Sequence, residues 1–106
     1  GPAFTWDIGV GAVLDLAGND RYIDTSNNLG ACAQCGFTVF FDAAGNDHYQ
    51  SSTLAMAYPT VEYHTDPRAV NLAIFLDADG TDTYQDPFHD GMEVAQGWKG
   101  GIAIDK

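Results

Sequence analysis

Short apolar runs alternate with turns rich in glycine and aspartate along the chain. The runs "AVLDL", "FTVFF", "LAIFL" and "GIAI" are each bounded by Gly or by an Asp-rich turn. Aliphatic, β-branched and aromatic residues in short runs of this kind favour strands. No segment keeps apolar residues at the i, i+3, i+4, i+7 spacing of an amphipathic helix for long. The pattern therefore predicts an all-β domain.

The same acidic turn motif occurs three times in the sequence. The stretches "LDLAGNDRY", "FDAAGNDHY" and "LDADGTDTY" share the consensus of apolar residues followed by D-x-x-G-(N/T)-D-x-Y. The first Asp of each copy is Asp15, Asp42 or Asp77, and the closing "GGIAIDK" begins a fourth copy at Asp105. The separations are 27, 35 and 28 residues, and the polar insertion 58–71 accounts for the longer middle one. The sequence is therefore an array with a period of about 27 residues.

The repeat predicts a single domain over 1–106, a piece of a larger protein. If equivalent strands stack about 4.8 Å apart, the chain forms a short parallel β-solenoid of about four coils. The alternative makes each acidic turn the tip of a β-hairpin, with "AVLD" paired against "DRYI", in a small sandwich or barrel. The nearly fixed period favours the solenoid. Its repeats would lie near 9–36, 37–71 and 72–100, with a partial repeat at 101–106.

The turn can be explained by local structure alone. An Asp that opens a turn accepts hydrogen bonds from backbone N–H groups two or three residues later. The Gly suits a position with positive φ. The Tyr would cover the turn with its ring and direct its hydroxyl to the surface. These roles need no ligand.

Stacking changes that interpretation, because it places equivalent carboxylates side by side. Two carboxylates about 5 Å apart repel by about 3 kcal/mol at an effective dielectric constant near 20. Backbone N–H donors, raised pKa values, basic partners or bound cations can offset this repulsion, and the turns contain a single basic residue, Arg21. Oxygen ligands in Gly-rich turns suit Ca²⁺, and "DADGTD" adds Asp79. The first-Asp column is Asp15, Asp42 and Asp77, and the second-Asp column is Asp20, Asp47 and Asp82.

The stretch "AGND" before an apolar or aromatic residue resembles the glycine-rich, Asp-ended repeat of the RTX calcium-binding β-rolls of secreted bacterial proteins. In that family the unit is a nonapeptide, and turn carbonyls and the Asp carboxylate bind Ca²⁺ between successive coils. The resemblance implies the same role for Gly18, Asn19, Asp20, Gly45, Asn46, Asp47, Gly80, Thr81 and Asp82. With the residues that open each turn, the candidate metal ligands are Asp15, Gly18, Asn19, Asp20, Asp42, Gly45, Asn46, Asp47, Asp77, Asp79, Gly80 and Asp82.

The negative net charge of the chain limits the kinds of molecule that it is expected to bind. Fifteen acidic residues against four basic ones give a formal net charge of −11. Nucleic acids and anionic membrane surfaces are polyanions and are therefore disfavoured, and no apolar run approaches the roughly 20 residues of a membrane span. We expect a divalent cation as partner, with a protein, a glycan or a second copy as further possibilities.

Cys32 and Cys35 form a C-x-x-C motif, which could indicate zinc or redox chemistry. A zinc site needs four ligands, and no second pair is present. A thioredoxin-like motif opens a helix, whereas "GACAQCGFTVFF" runs into a strand pattern. We interpret the pair as two small buried or partly buried residues, or as a local disulfide.

The sequence thus predicts a structural or binding repeat module of a secreted or cell-surface protein of bacterial type, with Ca²⁺ at the acidic turns. One alternative is a fragment of a polysaccharide-active β-helix enzyme, with Asp42 and Asp47 as its acid–base pair. Another is a metal-free repeat that self-assembles or binds a partner. Recurrence of the motif favours a scaffold, since an active site is normally singular. In the insertion, a sugar or a protein could be bound by Tyr58, Glu62, Tyr63, His64, Asp66 and Arg68, and a plain surface loop is the alternative. The aromatic residues Tyr84, Phe88 and Trp98 would line a groove or close the end of the core.

Overall fold

The fold is built from short strands. The computed structural model describes residues 4–6, 8–25, 29–58, 71–96 and 100–106, so most of the insertion, and Trp98, lie outside the described residues. Within these ranges the chain contains strands and no helix, which confirms the all-β prediction. The strands are β1 Phe4–Thr5, β2 Val10–Asp15, β3 Arg21–Ile23, β4 Ala31–Cys32, β5 Phe37–Asp42, β6 His48–Gln50, β7 Leu72–Asp77, β8 Thr83–Tyr84, β9 Glu93–Gln96 and β10 Gly101–Asp105.

Each of the three acidic turns joins a strand of one sheet to a strand of a second sheet. The five-stranded sheet has the order β2-β5-β7-β10-β9, and the three-stranded sheet has the order β3-β6-β8. A third pair, β1 with β4, is also parallel. The strands on either side of one acidic turn, such as β2 and β3, therefore pair with their counterparts in the next repeat rather than with each other. Two sheets of this kind fit a solenoid and a small sandwich alike.

The repeats lie in register. Pairing between β2, β5, β7 and β10 is parallel and without offset, and so is pairing between β3, β6 and β8. The three acidic turns are consequently neighbours in space, as their alignment in the sequence predicts. The equivalent positions are Asp15, Asp42, Asp77 and Asp105 in the larger sheet and Tyr22, Tyr49 and Tyr84 in the smaller one.

Strand alternation explains why the first Asp is buried in the second and third turns, at Asp42 and Asp77. Side chains two apart on a strand share a face. In β5 the inward positions are Thr38, Phe40 and Asp42, all of which are buried. The alternation that buries the Phe40 ring therefore also carries the Asp42 carboxylate into the core.

Aromatic rings join the two sheets. Phe40 stacks on Phe75 with ring centroids 5.1 Å apart. On the facing sheet, Tyr49 stacks on Tyr22 and on Tyr84 at 5.1 and 4.8 Å. Tyr49 also meets Phe75 edge-on at 5.0 Å. Edge-to-face and offset pairs at these separations are the favoured aromatic geometries, so the rings form a continuous core along the stack.

The two ends of the five-stranded sheet differ. β2 is an edge strand, and its outward Val10 and Leu14 side chains are 79% and 69% exposed. At the other end, β9 runs antiparallel to β10 and ends the parallel array. The segment before β9 buries Phe88 and Met92 in the core. In the part of the chain described, no helix is long and apolar enough to cross a membrane.

Candidate metal centre

Tyrosine hydroxyls donate hydrogen bonds to the carboxylates of the first-Asp column from within the core. Tyr22 Oη donates to Oδ2 of Asp15 at 2.8 Å and to Oδ2 of Asp42 at 2.7 Å. Tyr49 Oη donates to Oδ2 of Asp77 at 2.6 Å. The expectation that these hydroxyls reach the surface is wrong for Tyr49, which is buried. The strand after each turn belongs to the facing sheet, so its Tyr points back into the core.

Backbone N–H groups donate hydrogen bonds to carboxylates of the second-Asp column. The N–H of Asp20 donates to Oδ1 of Asp47, and the N–H of Asp47 donates to Oδ1 of Asp82, both at 2.6 Å. The Asp82 N–H donates in turn to Oδ1 of Asp90 at 2.8 Å. Asp47 and Asp82 thus each accept a hydrogen bond from the preceding repeat.

A second ladder runs in the opposite direction through the asparagines. The N–H of Asn46 donates to Oδ1 of Asn19, and the N–H of Thr81 donates to Oδ1 of Asn46, both at 2.9 Å. The side chains of Asn19 and Asn46 therefore link successive turns at the exposed rim of the stack. This use explains the Asn of the consensus without a metal.

The central Gly of the motif is needed for close approach of the turns. A Cβ at Gly45 would lie 1.9 Å from the carbonyl oxygen of Gly18, and one at Gly80 would lie 1.9 Å from that of Gly45. Of the three motif glycines, Gly18 has the positive φ that the sequence suggested, whereas Gly45 and Gly80 do not. A side chain there would force neighbouring turns apart, so Gly sets the distance between the acidic residues.

These hydrogen bonds satisfy only part of the buried carboxylate oxygens. In the described part of the chain, six such oxygens have no hydrogen-bond partner. Their residues are at most 6% exposed. Leaving a buried carboxylate oxygen unpaired is costly. The six are Oδ1 of Asp42, Oδ2 of Asp47, Oδ1 of Asp77, Oδ2 of Asp82, and both oxygens of Asp105.

Two groups of carboxylates come close enough to share a cation. The inner cluster consists of Asp47, Asp77 and Asp82, and the terminal cluster of Asp82, Asp90 and Asp105. Within each, one oxygen from every residue lies within 4.8 Å of the others. The inner cluster brings together three of the predicted ligands. The remaining predicted acids belong to neither cluster: Asp15, Asp20, Asp42 and Asp79. Of these, Asp42 is buried with an unpaired oxygen, and Asp79 is exposed.

Burial and mutual repulsion raise the pKa values of these acids. Burial is the main cause that lifts the pKa of Asp77 to about 7, and the charges of Asp82, Asp105 and Asp42 add to it. The pKa of Asp47 and that of Asp82 are also raised by burial, against the effect of the backbone N–H that each accepts. The pKa of Tyr49 is raised, first by burial and then by Asp77, so its hydroxyl stays a donor.

Sequence reasoning missed two acids of the terminal cluster. Asp105 aligns with the first-Asp column, and its alignment was the signal available. Asp90 lies outside the repeated motif, between β8 and β9, and no spacing marks it. The consensus contains the Tyr, but the inward direction of its hydroxyl follows only from the two-sheet arrangement.

The donor set favours a hard cation. The ligand atoms in both clusters are carboxylate oxygens, without a thiolate or imidazole, and such sites suit Ca²⁺, Mg²⁺ or Mn²⁺ rather than zinc or copper. Among these, Ca²⁺ best tolerates irregular geometry and incomplete ligand sets completed by water. The residues present therefore fit the ion that the turns suggested.

Comparison of the chain with protein-family models, with curated proteins and with solved structures gave no match.

Proposed function

We propose that the chain is a short parallel β-solenoid of about four coils that serves as a structural or binding module and holds Ca²⁺ between its acidic turns. The unshifted parallel pairing of equivalent strands supports the solenoid, because every repeat then presents the same face to its neighbour. Asp105, in register with Asp77, begins the fourth coil.

One observation carries the calcium proposal: the six buried carboxylate oxygens without partners. A buried, unpaired charge is destabilising by several kcal/mol. The protein can avoid that cost by protonating these groups or by binding a cation. Protonation suffices only where the pKa lies above ambient pH, and that of Asp77, at about 7, sits at the boundary near neutrality. A divalent cation would neutralise the clusters over the whole neutral and alkaline range.

Binding of calcium would then make the stack of acidic turns more rigid. Ligands from successive repeats, such as Asp47 and Asp82, would be joined by one ion, so binding stabilises the contact between turns as well as the turns themselves. Because the same ligands are far apart in the unfolded chain, the binding free energy adds to the folding free energy. The expected product is a stiff spacer whose stability depends on calcium.

Such a module suits a secreted or cell-surface protein of bacterial type, because millimolar extracellular calcium can saturate even weak sites. Binding of a protein or glycan and self-association stay predictions. The outward face of the five-stranded sheet is the place to look for such contacts, since Leu14, Phe37 and Leu72 there are exposed.

The enzyme alternative is weaker on physical grounds. Its acid–base candidates, Asp42 and Asp47, are 1% and 2% exposed. A glycosidic bond must reach both carboxyl groups of such a pair, and stacked turns close that approach. The metal-free repeat differs from the calcium module only in its response to the ion, so one experiment separates them.

That experiment is a calcium titration by calorimetry on the chelator-treated protein, with thermal melts in EDTA and in excess calcium. We expect binding, and a melting temperature several degrees higher with calcium. Asp47→Asn keeps an Oδ1 acceptor for the Asp20 N–H but removes one charge. It should weaken calcium binding while stabilising the metal-free protein, because the repulsion falls.

Asp79→Asn is the matched control, because Asp79 is exposed and in neither cluster. It should leave both calcium binding and the melting curve close to those of the unmodified protein. Melting curves that coincide in EDTA and in calcium, together with no heat of binding, would remove the metal from the proposal and leave the metal-free repeat.

A further inference from the structure

Asp90 takes a place in the stack that the repeat itself does not fill. It lies in the segment between β8 and β9, outside the D-x-x-G-(N/T)-D-x-Y motif. Nevertheless its Oδ1 accepts the N–H of Asp82 at 2.8 Å, just as Asp82 accepts that of Asp47. Asp90 therefore stands where the second Asp of a fourth repeat would extend the ladder.

Asp105 supplies the matching first Asp. It is in register with Asp77 and only 5% exposed, and although the Tyr84 hydroxyl and the Gly91 N–H lie near its carboxylate, neither oxygen has a partner in good hydrogen-bond geometry. Oδ2 of Asp82 is buried and unpaired as well. Oxygens of Asp82, Asp90 and Asp105 lie within 4.8 Å of one another. Two nearly inaccessible carboxylates with unpaired oxygens thus point into the same small space, and an exposed third carboxylate borders it.

We propose that Asp82, Asp90 and Asp105 form a terminal divalent-cation site that fastens the segment 85–96 onto the end of the stack. The choice of Ca²⁺ rests on the proposed function, whereas the site itself uses a ligand from outside the repeat. Exposure of Asp90 leaves room for water in the coordination sphere, as Ca²⁺ commonly requires.

The site would act as a clip, because its ligands come from three places. Asp82 lies in the third acidic turn, Asp90 in the connecting segment and Asp105 at the end of β10. The same segment is already anchored by the buried Phe88 and Met92 and by an N–H of Asp105 that donates to the carbonyl of Met92 at 2.9 Å. A bound ion would add charge neutralisation to these contacts and keep β9 on β10, where it covers the edge of the parallel array.

The first test compares calcium titrations of the whole chain and two variants. Asp90→Asn retains an acceptor for the Asp82 N–H but removes one ligand charge. Asp86→Asn makes the same chemical change at an exposed position of the same segment that belongs to neither cluster. We expect Asp90→Asn to lose one calcium-binding event and keep the others, and Asp86→Asn to keep all of them. Equal stoichiometry and affinity in Asp90→Asn and the unmodified chain would overturn the terminal site alone.

The outcomes separate this inference from the proposed function. Asp47→Asn alters the inner cluster without touching the terminal one, so it should spare the event that Asp90→Asn removes. If the unmodified chain binds no calcium, both proposals fail.

Hydrogen exchange of the unmodified chain supplies a second measurement that does not depend on a variant folding. Saturating calcium should slow exchange of the β9 amides, because the clip holds that strand on β10. Unchanged exchange in β9, with calcium bound elsewhere, would also overturn the terminal site.

Discussion

The hydroxyl of Tyr49 donates a hydrogen bond to Oδ2 of Asp77, 2.6 Å away, from the second repeat to the third. The contact crosses from the smaller sheet to the larger one and lies in the middle of the aromatic core. It explains how a carboxylate can be buried behind Phe75 without losing all of its hydrogen bonds. The other oxygen of Asp77 remains unpaired, so the tyrosine satisfies half of the group and leaves the rest for a proton or a cation.

Tyr49→Phe tests how much the hydrogen bond from the Tyr49 hydroxyl to Asp77 contributes to stability. The ring stays in the core, but Asp77 loses its donor, so we expect a loss of about 1–3 kcal/mol in the free energy of unfolding of the metal-free protein. Urea denaturation measures it. Tyr58→Phe is the control, because Tyr58 lies outside the acidic turns and is only half-buried, so removal of its hydroxyl should cost much less. Equal losses in the two variants would mean that the hydroxyl of Tyr49 contributes nothing specific.

Gly80→Ala tests the close approach of the turns. The new methyl group would overlap the carbonyl oxygen of Gly45, so the two turns must separate. Overpacking of this kind costs about 1–3 kcal/mol, and the wider gap should also weaken calcium binding at the inner cluster. Denaturation and calorimetry report the two effects.

Thr81→Ala is the neighbouring control. The side chain of Thr81 is exposed, and its place in the asparagine ladder depends on its backbone N–H, which the variant keeps. Stability and calcium affinity should therefore change little. A Gly80→Ala protein as stable as Thr81→Ala would show that the turns have freedom to move apart.

The sequence was sufficient for the register but not for the interior of the site. The spacing of Asp15, Asp42 and Asp77 predicted neighbouring turns, because equivalent strands in a repeat pair with one another. Burial of Asp42 could also have been predicted, since it lies two residues after Phe40 on the same strand face. The inward direction of the Tyr49 hydroxyl could not, because it depends on how the chain bends between the sheets.

Asp90 is the residue of the candidate site that the sequence pattern predicts least. Nothing in "QDPFHDGM" resembles the repeat, and Asp90 reaches the carboxylate ladder only because the chain returns antiparallel along β10. Because β9 is antiparallel to the repeated strands, a contact that depends on it is not marked by the spacing of the repeat. The same reasoning applies to Gly45, whose small size is required by the carbonyl of Gly18, a residue of the preceding repeat.

The stability of the metal-free protein should fall as pH rises toward 7. Asp77 has a pKa of about 7 in the folded protein and about 4 when unfolded. The folded state therefore binds the extra proton between these values, and its stabilising effect is complete below pH 4 and lost as pH rises through 7. Burial raises the pKa values of Asp47, Asp82 and Asp105 too, so they act in the same direction.

Thermal melts in EDTA at pH 5 and pH 8 measure this effect, and we expect the melting temperature to be several degrees lower at pH 8. Calcium should restore stability at pH 8 and have little effect at pH 5, because it binds the ionised carboxylates. Asp77→Asn should reduce the pH dependence, and Asp79→Asn should not. A metal-free protein more stable at pH 8 than at pH 5 contradicts the assignment.

The two cysteines should differ sharply in reactivity. Both are free thiols, so the local disulfide that the motif allowed is not formed. Cys32 is fully buried and paired in β4, and burial raises its pKa to about 11. Cys35 is only half-buried. Because the thiolate is the reactive form, Cys32 is protected twice, by its protonation and by its position.

Alkylation with iodoacetamide at pH 8, followed by peptide mass spectrometry, measures this difference. In the native protein we expect modification at Cys35 and very little at Cys32, whereas both should react in urea. Cys35→Ser should then remove almost all labelling of the native protein. If Cys32 reacts as fast as Cys35 in the native state, β4 must open readily from β1, and the core beneath the first and second repeats would be far less rigid than a calcium-stiffened spacer requires.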